Sequence, residues 1–489
     1  MHRRIVLLRA ASAGWLLSLV GGSAVQGQIA PAEYAARRDS LAARIGTGVV
    51  VAFGARTPVT DFGPPTQLPA FHYLTNYDEP DAVFVLVARK GAGAGTLFTV
   101  PVEPRRSLYY GQRPDSAHLE QETGLHARSL SALDRVLDSL AAAGLPFYTL
   151  ADFEDADFAS QDSLTRGGRY LRAFAERHHG LTLTDAHPIV NQLRARKSPA
   201  EQALLKRAAE ISVEGHKAAM QLAAPGLHEY DLQAALEYAF RRGGGARPAY
   251  GSIVGTGAQG TQLHYMKDRA PLEAGQLVVM DAATEYEGYA ADVTRTIPVS
   301  GTFSPEQRAL YQLVRDAQAA AERNSRPGLS SQAASDSSFE VRARGLAALG
   351  YIESAEAMMD PPWKADCVKE PRACRQATLF TIHGISHGIG LAVHDPAQFY
   401  APDHIFREGD AFTIEPGIYI STTALDLLPD TPRNRAFRAK AEALVKRNNN
   451  TGVRIEDDYL ITPTGLEWIS KAPREVAEVE AAMRRPMQP

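Results

Sequence analysis

Three of the chain's 14 histidines fall within Thr381–Asp395, TIHGISHGIGLAVHD. His383, His387 and His394 alternate with glycines there, in a stretch too glycine-rich for a stable helix and suited to a loop around a site. A single histidine is more often a satisfied structural residue than a ligand, but three together shift the reading toward metal binding or proton transfer. Carboxylates that would complete such a site lie on either side. In Gly275–Val299, GQLVVMDAATEYEGYAADVTRTIPV, two β-rich runs flank Tyr-Glu-Gly-Tyr, the composition of a hairpin. Asp281 and Asp292 are symmetric about the point between Tyr286 and Glu287. A regular hairpin with an even-length loop centred there sets them directly opposite each other, with Cβ atoms about 4.5–5.5 Å apart. Like charges so placed repel, and the apolar neighbours (VVM before Asp281, YAA before Asp292) make ionised carboxylates costly. A bound cation relieves both costs. Exposure of one aspartate to solvent, or a pair with Arg295, is the other way out.

Downstream, Asp410–Ile420 (DAFTIEPGIYI) places Glu415 in an apolar strand immediately before Pro416-Gly417. Gly452–Thr462 (GVRIEDDYLIT) places Glu456 at the end of a strand beginning with Arg454, which is positioned to partner either glutamate. Two aspartates, two glutamates and a histidine in apolar β surroundings are what a carboxylate-bridged two-metal site requires.

These ordered pieces resemble the pita-bread metallopeptidases, the group that includes aminopeptidase P, prolidase and methionine aminopeptidase. The matching segments are LHY at Leu263–Tyr265, DAATEYEGYAADVTRT, HGISHGIGLAVHD, EPGIY and GVRIEDD, and the resemblance covers about Arg194 to Ile469. It implies that Asp281, Asp292, His387, Glu415 and Glu456 are the metal ligands. In the first half, FHYLTNYDEPDAVFVLV resembles the N-terminal domain of aminopeptidase P, and SLYYGQRPD its later Gly-Arg segment. Methionine aminopeptidases lack such a domain, and creatinases share it without the metal ligands. The chain departs from the aminopeptidase P pattern at Gly388-Ile389, where a bulky aromatic is usual. It departs again in the longer link Leu425–Thr451 between Glu415 and Glu456.

The resemblance implies hydrolysis of the bond between an N-terminal residue and a following proline. Such a bond lacks an N–H and has a fixed ring geometry, so it needs a shaped pocket. Two cations held by shared carboxylates would lower the pKa of a bridging water, giving hydroxide near neutral pH for attack on the scissile carbonyl. Glu415 is expected to accept and pass on its proton. His394 would stabilise the developing oxyanion. His264 and His383 would position the substrate, and Arg454 would contact it as well. A hard set of four carboxylates and one imidazole makes Mn²⁺ the first choice, with Zn²⁺ or Co²⁺ able to occupy the same site. A prolidase restricted to Xaa-Pro dipeptides shares this ligand set and remains the alternative. A metal-free peptide-binding module of the same fold is disfavoured by the complete set.

These residues need a scaffold. At 489 residues the chain implies two domains, and its 45% hydrophobic and 22% charged residues are those of a globular protein. Before Ala186, strand-like runs (GTGVVVAFGA, PFYTL, and two around the Asp-Glu-Pro turn of FHYLTNYDEPDAVFVLVAR) alternate with helical ones (Pro31 to Ile45, SALDRVLDSLAAAG), which is an α/β pattern. Asp185–Lys197 is the expected join. After it comes a long helix with Ser198 as cap, Pro199 at its first position and Gly226 beyond its end. Helices at EYDLQAALEYAFRRGG and PEQRALYQLVRDAQAAAERN and several hairpins follow. The expected architecture is an α/β N-terminal creatinase-like domain (29–187) followed by an α+β pita-bread catalytic domain (188–489). Residues 1–28 read as a signal peptide: His2-Arg3-Arg4, then the apolar Ala10–Val20, then small residues. Export to the periplasm or outside the cell follows, without a stable membrane anchor. Cys367 and Cys374, the only cysteines, would then close a small disulfide loop. A formal charge of -4 with no long basic run excludes nucleic acid as a partner. Peptides with proline second are the expected partners, and the resemblance implies a homo-oligomer.

Overall fold

The computed structural model describes residues 29–57, 66–101, 104–110, 115–151 and 166–484. The expected signal segment and part of SLYYGQRPD lie outside them. The N-terminal sheet has six strands: β1 (Gly48–Phe53), β2 (Val83–Arg89), β3 (Ala92–Thr99), β4 (His126–Ser129), β5 (Phe147–Leu150) and β6 (Leu183–Asp185), in the order β4-β3-β2-β1-β5-β6. The all-apolar GVVVAF of β1 is buried along its whole length, as a strand covered on both faces must be. The helix expected at Pro31–Ile45 forms with those bounds, Pro31 opening it. One expectation fails here. Phe71–Thr75 is not a strand but the body of a helix, Pro69–Thr75, again opened by proline and closed by Asn76 in the left-handed conformation. All seven of its residues are buried, so the run has no polar face to betray its period.

The helix His187–Arg194 buries Val190 in the N-terminal core, and a short link leads to the helix Pro199–Leu222. Ser198 and Glu201 open that second helix with a reciprocal capping box, an arrangement in which the cap is typically worth about 1 kcal/mol. The strands that follow are β7 (Arg247–Pro248), β8 (Ile253–Thr256), β9 (Leu277–Asp281), β10 (Thr284–Tyr286), β11 (Tyr289–Ala290), β12 (Thr294–Pro298), β13 (Ala411–Ile414), β14 (Gly417–Ile420), β15 (Thr451–Arg454), β16 (Asp457–Thr462) and β17 (Gly465–Trp468). They form small sheets, β11-β10-β7, β12-β9-β8, β13-β16-β17 and β14-β15. Helices 305–324 and 331–349 pack outside them, and one apolar cluster runs from Leu232 and Phe240 through Val278 and Ile297 to Phe339 and Phe437. The long link Leu425–Thr451 is mostly the helix Pro432–Arg447, pinned through Asn434 to the backbone of Asp360. Among the described residues no helix is long and apolar enough to cross a membrane. Cys367 and Cys374 are disulfide-bonded, with Cα atoms 5.6 Å apart, as expected.

The hairpin register differs from expectation. Its two-residue turn is Glu287-Gly288, both at positive φ (50° and 83°), the conformation of a type I′ turn in which glycine costs nothing. The ladder therefore pairs Tyr286 with Tyr289 and Asp281 with Thr294, not Asp281 with Asp292. Asp292 lies in the irregular residues between β11 and β12, diagonal to Asp281 and on the same side of the ribbon.

Candidate metal centre and active site

The two glutamates come from a second ribbon, and there they do face each other. Ile414 pairs with Asp457 in one ladder and Gly417 with Arg454 in the next, a single register that sets Glu415 opposite Glu456 at the break between them. Glu415 lies between β13 and β14 and not inside a strand as expected, and Glu456 lies between the ends of β15 and β16, in an isolated bridge to Thr294. At the break their backbone N–H groups are free to cross-link: Glu456 donates to Thr294 O at 3.0 Å, and Glu415 donates to Ile385 O at 2.8 Å. Those two bonds tie the glutamate ribbon to the aspartate hairpin and to the histidine loop.

The side chains converge accordingly. His387 Nε2 lies 3.4 Å from Asp292 Oδ2, 3.4 Å from Glu415 Oε1 and 3.7 Å from Glu456 Oε1. Ligand atoms of Asp292, His387 and Glu456 all lie within 4.8 Å of one another. Atoms each about 2.0–2.2 Å from one ion are themselves roughly 3–3.6 Å apart, so the 3.4 Å separations of His387 Nε2 from Asp292 and Glu415 suit a shared divalent cation. Glu456 Oε1 is buried without a hydrogen-bond partner, and its other oxygen accepts from Thr294 Oγ1 at 2.6 Å. Asp281 joins Asp292 through Tyr250, whose hydroxyl is 2.7 Å from Asp281 Oδ1 and 2.5 Å from Asp292 Oδ1. Arg454 pairs with Asp281 Oδ2 at 2.6 Å rather than with either glutamate, and Arg295 pairs with Asp457 rather than with either aspartate.

Electrostatics point the same way. Burial pushes the Glu456 carboxyl well above the carboxylate range, and Asp292 and Glu415 add to the rise. Burial also raises Asp292, with Asp281 adding and His387 opposing. Although burial opposes its charge, the carboxylates of Asp292, Glu456 and Glu415 raise His387 well above its ordinary value. Burial works to raise Glu415 too, but His383, His387 and Arg454 outweigh it and hold the carboxyl low. His383 continues outward, its Nε2 2.9 Å from Tyr419 Oη, which accepts from Arg454 Nη1 at 2.8 Å.

Asp281, Asp292, His383, His387, Glu415, Arg454 and Glu456 line one cavity of about 540 Å³, together with Tyr250, His264, His394 and the apolar Leu263, Val393 and Met266. His264 is exposed at the wall and His394 half-buried, its ring centroid 4.2 Å from that of His387. A model of Metallopeptidase family M24 matches residues 203–463, and one of Aminopeptidase P, N-terminal domain, matches residues 34–146. The chain belongs to metallopeptidase family M24. It is 31% identical over 475 residues to the Xaa-Pro aminopeptidase of Escherichia coli strain K12, covering 94% of this chain and 99% of that one. Proline aminopeptidase P II from Yersinia pestis superposes with a TM-score of 0.76 at 30% identity, over 93% of this chain and 99% of that one. A zinc-substituted Escherichia coli aminopeptidase P in complex with product gives 0.77 at 28%, over 94% and 99%. An α/β N-terminal domain followed by a pita-bread domain is the architecture shared with these neighbours, as expected from sequence. Residues of this M24 hydrolase that the sequence reading missed are Tyr250, Thr294 and Tyr419. Each is a neutral hydroxyl, and only the third dimension brings it to the carboxylates.

Proposed function

We propose that the chain is an Xaa-Pro aminopeptidase that works with two divalent cations, Mn²⁺ foremost. The observation that carries this reading is the convergence of Asp292, His387 and Glu456, with Glu415 facing the same point and Asp281 linked in through Tyr250. Bound there, divalent cations supply Lewis acidity, polarising the scissile carbonyl and making water nucleophilic near neutral pH. Glu415, held ionised beside His383, takes the proton released in the attack and returns it to the departing nitrogen. His394 donates to the oxygen on which negative charge grows. His264 and His383 hold the peptide against the apolar wall. Arg454 is engaged by Asp281 and Tyr419, so its part is to orient those two groups. The Cys367–Cys374 bond supports export to an oxidising compartment.

Hydrolysis of Xaa-Pro, Xaa-Pro-Yaa and Xaa-Ala-Yaa peptides, with and without Mn²⁺, tests the proposal. Cleavage of Xaa-Pro-Yaa that depends on metal and fails on Xaa-Ala-Yaa is expected. Activity confined to Xaa-Pro dipeptides would make the chain a prolidase instead.

A further inference from the structure

The link between the two halves of the chain ends in a buried charge cluster. Asp395 Oδ1 accepts from Arg194 Nη2, and Asp395 Oδ2 accepts from Lys197 Nζ at 2.9 Å. Lys197 Nζ donates as well to Arg194 O at 2.8 Å and Pro396 O at 2.9 Å, so its three hydrogens are all used. Arg194, Lys197 and Asp395 are 3%, 2% and 1% exposed. Three charges this far from water are a poor stabilising device, because apolar residues of the same volume often do as well or better. What the cluster adds is direction. Asp395 Oδ1 also accepts from Ala392 N at 3.1 Å, so the cluster grips the backbone two residues before His394, at Ala392, and two residues after it, at Pro396. The loop closes on the same residue: Asp395 N donates to Gly388 O at 2.8 Å, next to His387. Gly390 lets the chain pass over the carboxylate, since a Cβ there would stand 2.3 Å from Asp395 Oδ2.

We propose that Asp395, clamped by Arg194 and Lys197, is the positioning residue for His394, fixing that ring relative to His387 from the inter-domain link. The inference rests on the reading of His394 as the donor to the developing oxyanion. Asp395 touches no reacting atom and acts only through its neighbour.

The test is a double-mutant cycle on the full chain at saturating Mn²⁺ with an Xaa-Pro-Yaa peptide, using Asp395→Asn and Lys197→Met, each alone and combined with His394→Ala. A displacement of about 1 Å at a catalytic group costs up to about 100-fold, so Asp395→Asn is expected to lower kcat about 10–100-fold with KM and metal content near wild type. Lys197→Met shows the same pattern with a smaller loss. In the His394→Ala background either change adds less than about a twofold loss, because the group it positions is gone. Equal losses in both backgrounds, or a loss of metal instead of kcat, would reduce the cluster to a structural role and overturn the proposal. If Asp395→Asn does not fold, the Lys197→Met cycle decides alone. His394→Ala with full kcat would overturn the role of His394 itself, an outcome separate from additivity.

Discussion

Glu456 and Asp457 are adjacent and both buried, yet the protein treats their carboxyls in opposite ways. Asp457 points away from the cavity into a cationic nest: Arg295 Nη2 at 2.6 Å, Arg474 Nη1 at 3.0 Å, Ser470 Oγ at 2.8 Å and Gln318 Nε2 at 3.0 Å. Burial would raise its carboxyl, but Arg295 and Arg474 hold it below the ordinary range. Glu456 faces Asp292 and Glu415, which add to the rise from burial, and His387 offsets only part of it. Alternation along an extended backbone produces this split, putting consecutive side chains on opposite faces. The back face has its own cations and behaves as structure. The front face gathers Asp281, Asp292, Glu415 and Glu456 around Arg454 and His387, a deficit of positive charge that divalent ions would fill.

The sharpest way to break that comparison is to remove one carboxylate charge from each face. Asp292→Asn should lower metal-saturated turnover at least about 10³-fold, since divalent ions held there would contribute several kcal/mol to the transition state. It should leave the chelator-treated protein as stable as wild type or more so, because burial already disfavours that charge. Asp457→Asn strands Arg295, which is wholly buried, and should cost about 3–5 kcal/mol of stability while the folded fraction keeps most of its kcat. Thermal unfolding in chelator beside kinetics in Mn²⁺ reads both. If Asp457→Asn is as inactive as Asp292→Asn and no less stable, the two faces are not distinct.

Within the front face Glu415 is the exception, its carboxyl held low where Asp292 and Glu456 are pushed up. That is the state a proton acceptor needs. In Glu415→Gln the amide oxygen can still coordinate but takes no proton at neutral pH. At saturating Mn²⁺ the variant should remain about 10²–10⁴-fold slow, the usual span of general acid–base catalysis. Full recovery with excess metal would leave Glu415 a ligand only.

The front face was largely legible in the sequence and the back face was not. Asp281, Asp292, His387, Glu415 and Glu456 lie in short, dense motifs whose residue types announce ionic chemistry. A turn centred between Tyr286 and Glu287 sets the two aspartates face to face, but the true centre lies one residue further on. The better local signal was Gly288, which belongs at the second turn position. Arg295 and Asp457 are 162 residues apart, and no local pattern marks that pair. The helix Ser331–Leu349 is also weakly marked in the sequence. Its caps are ordinary, Ser330 before and Gly350 after, but its core-facing side includes Ala334, Ser338 and Arg342, so apolar periodicity is weak.

The smallest effect concerns His216, on the helix behind the aspartate hairpin. It is wholly buried and its Nε2 donates to Ala282 O at 2.9 Å, beside Asp281. Burial, with the Arg295 charge added, lowers its pKa from 6.5 to about 4. The fold therefore requires the neutral ring, whereas the unfolded chain takes up a proton below about pH 6.5. The stability this contributes is complete above that pH, falls as the pH drops, and levels off below about 4. At about 1.4 kcal/mol per pH unit the whole window is worth on the order of 3 kcal/mol. His216→Gln keeps an N–H for Ala282 O but cannot titrate. Urea unfolding of wild type and variant in chelator at pH 7.5 and 4.5 isolates this group, because shifts common to both proteins cancel in the difference. The variant should lose distinctly less stability on acidification. Identical losses would mean that the back of the hairpin admits a charge, and that intolerance of unpaired charge is confined to the cavity side.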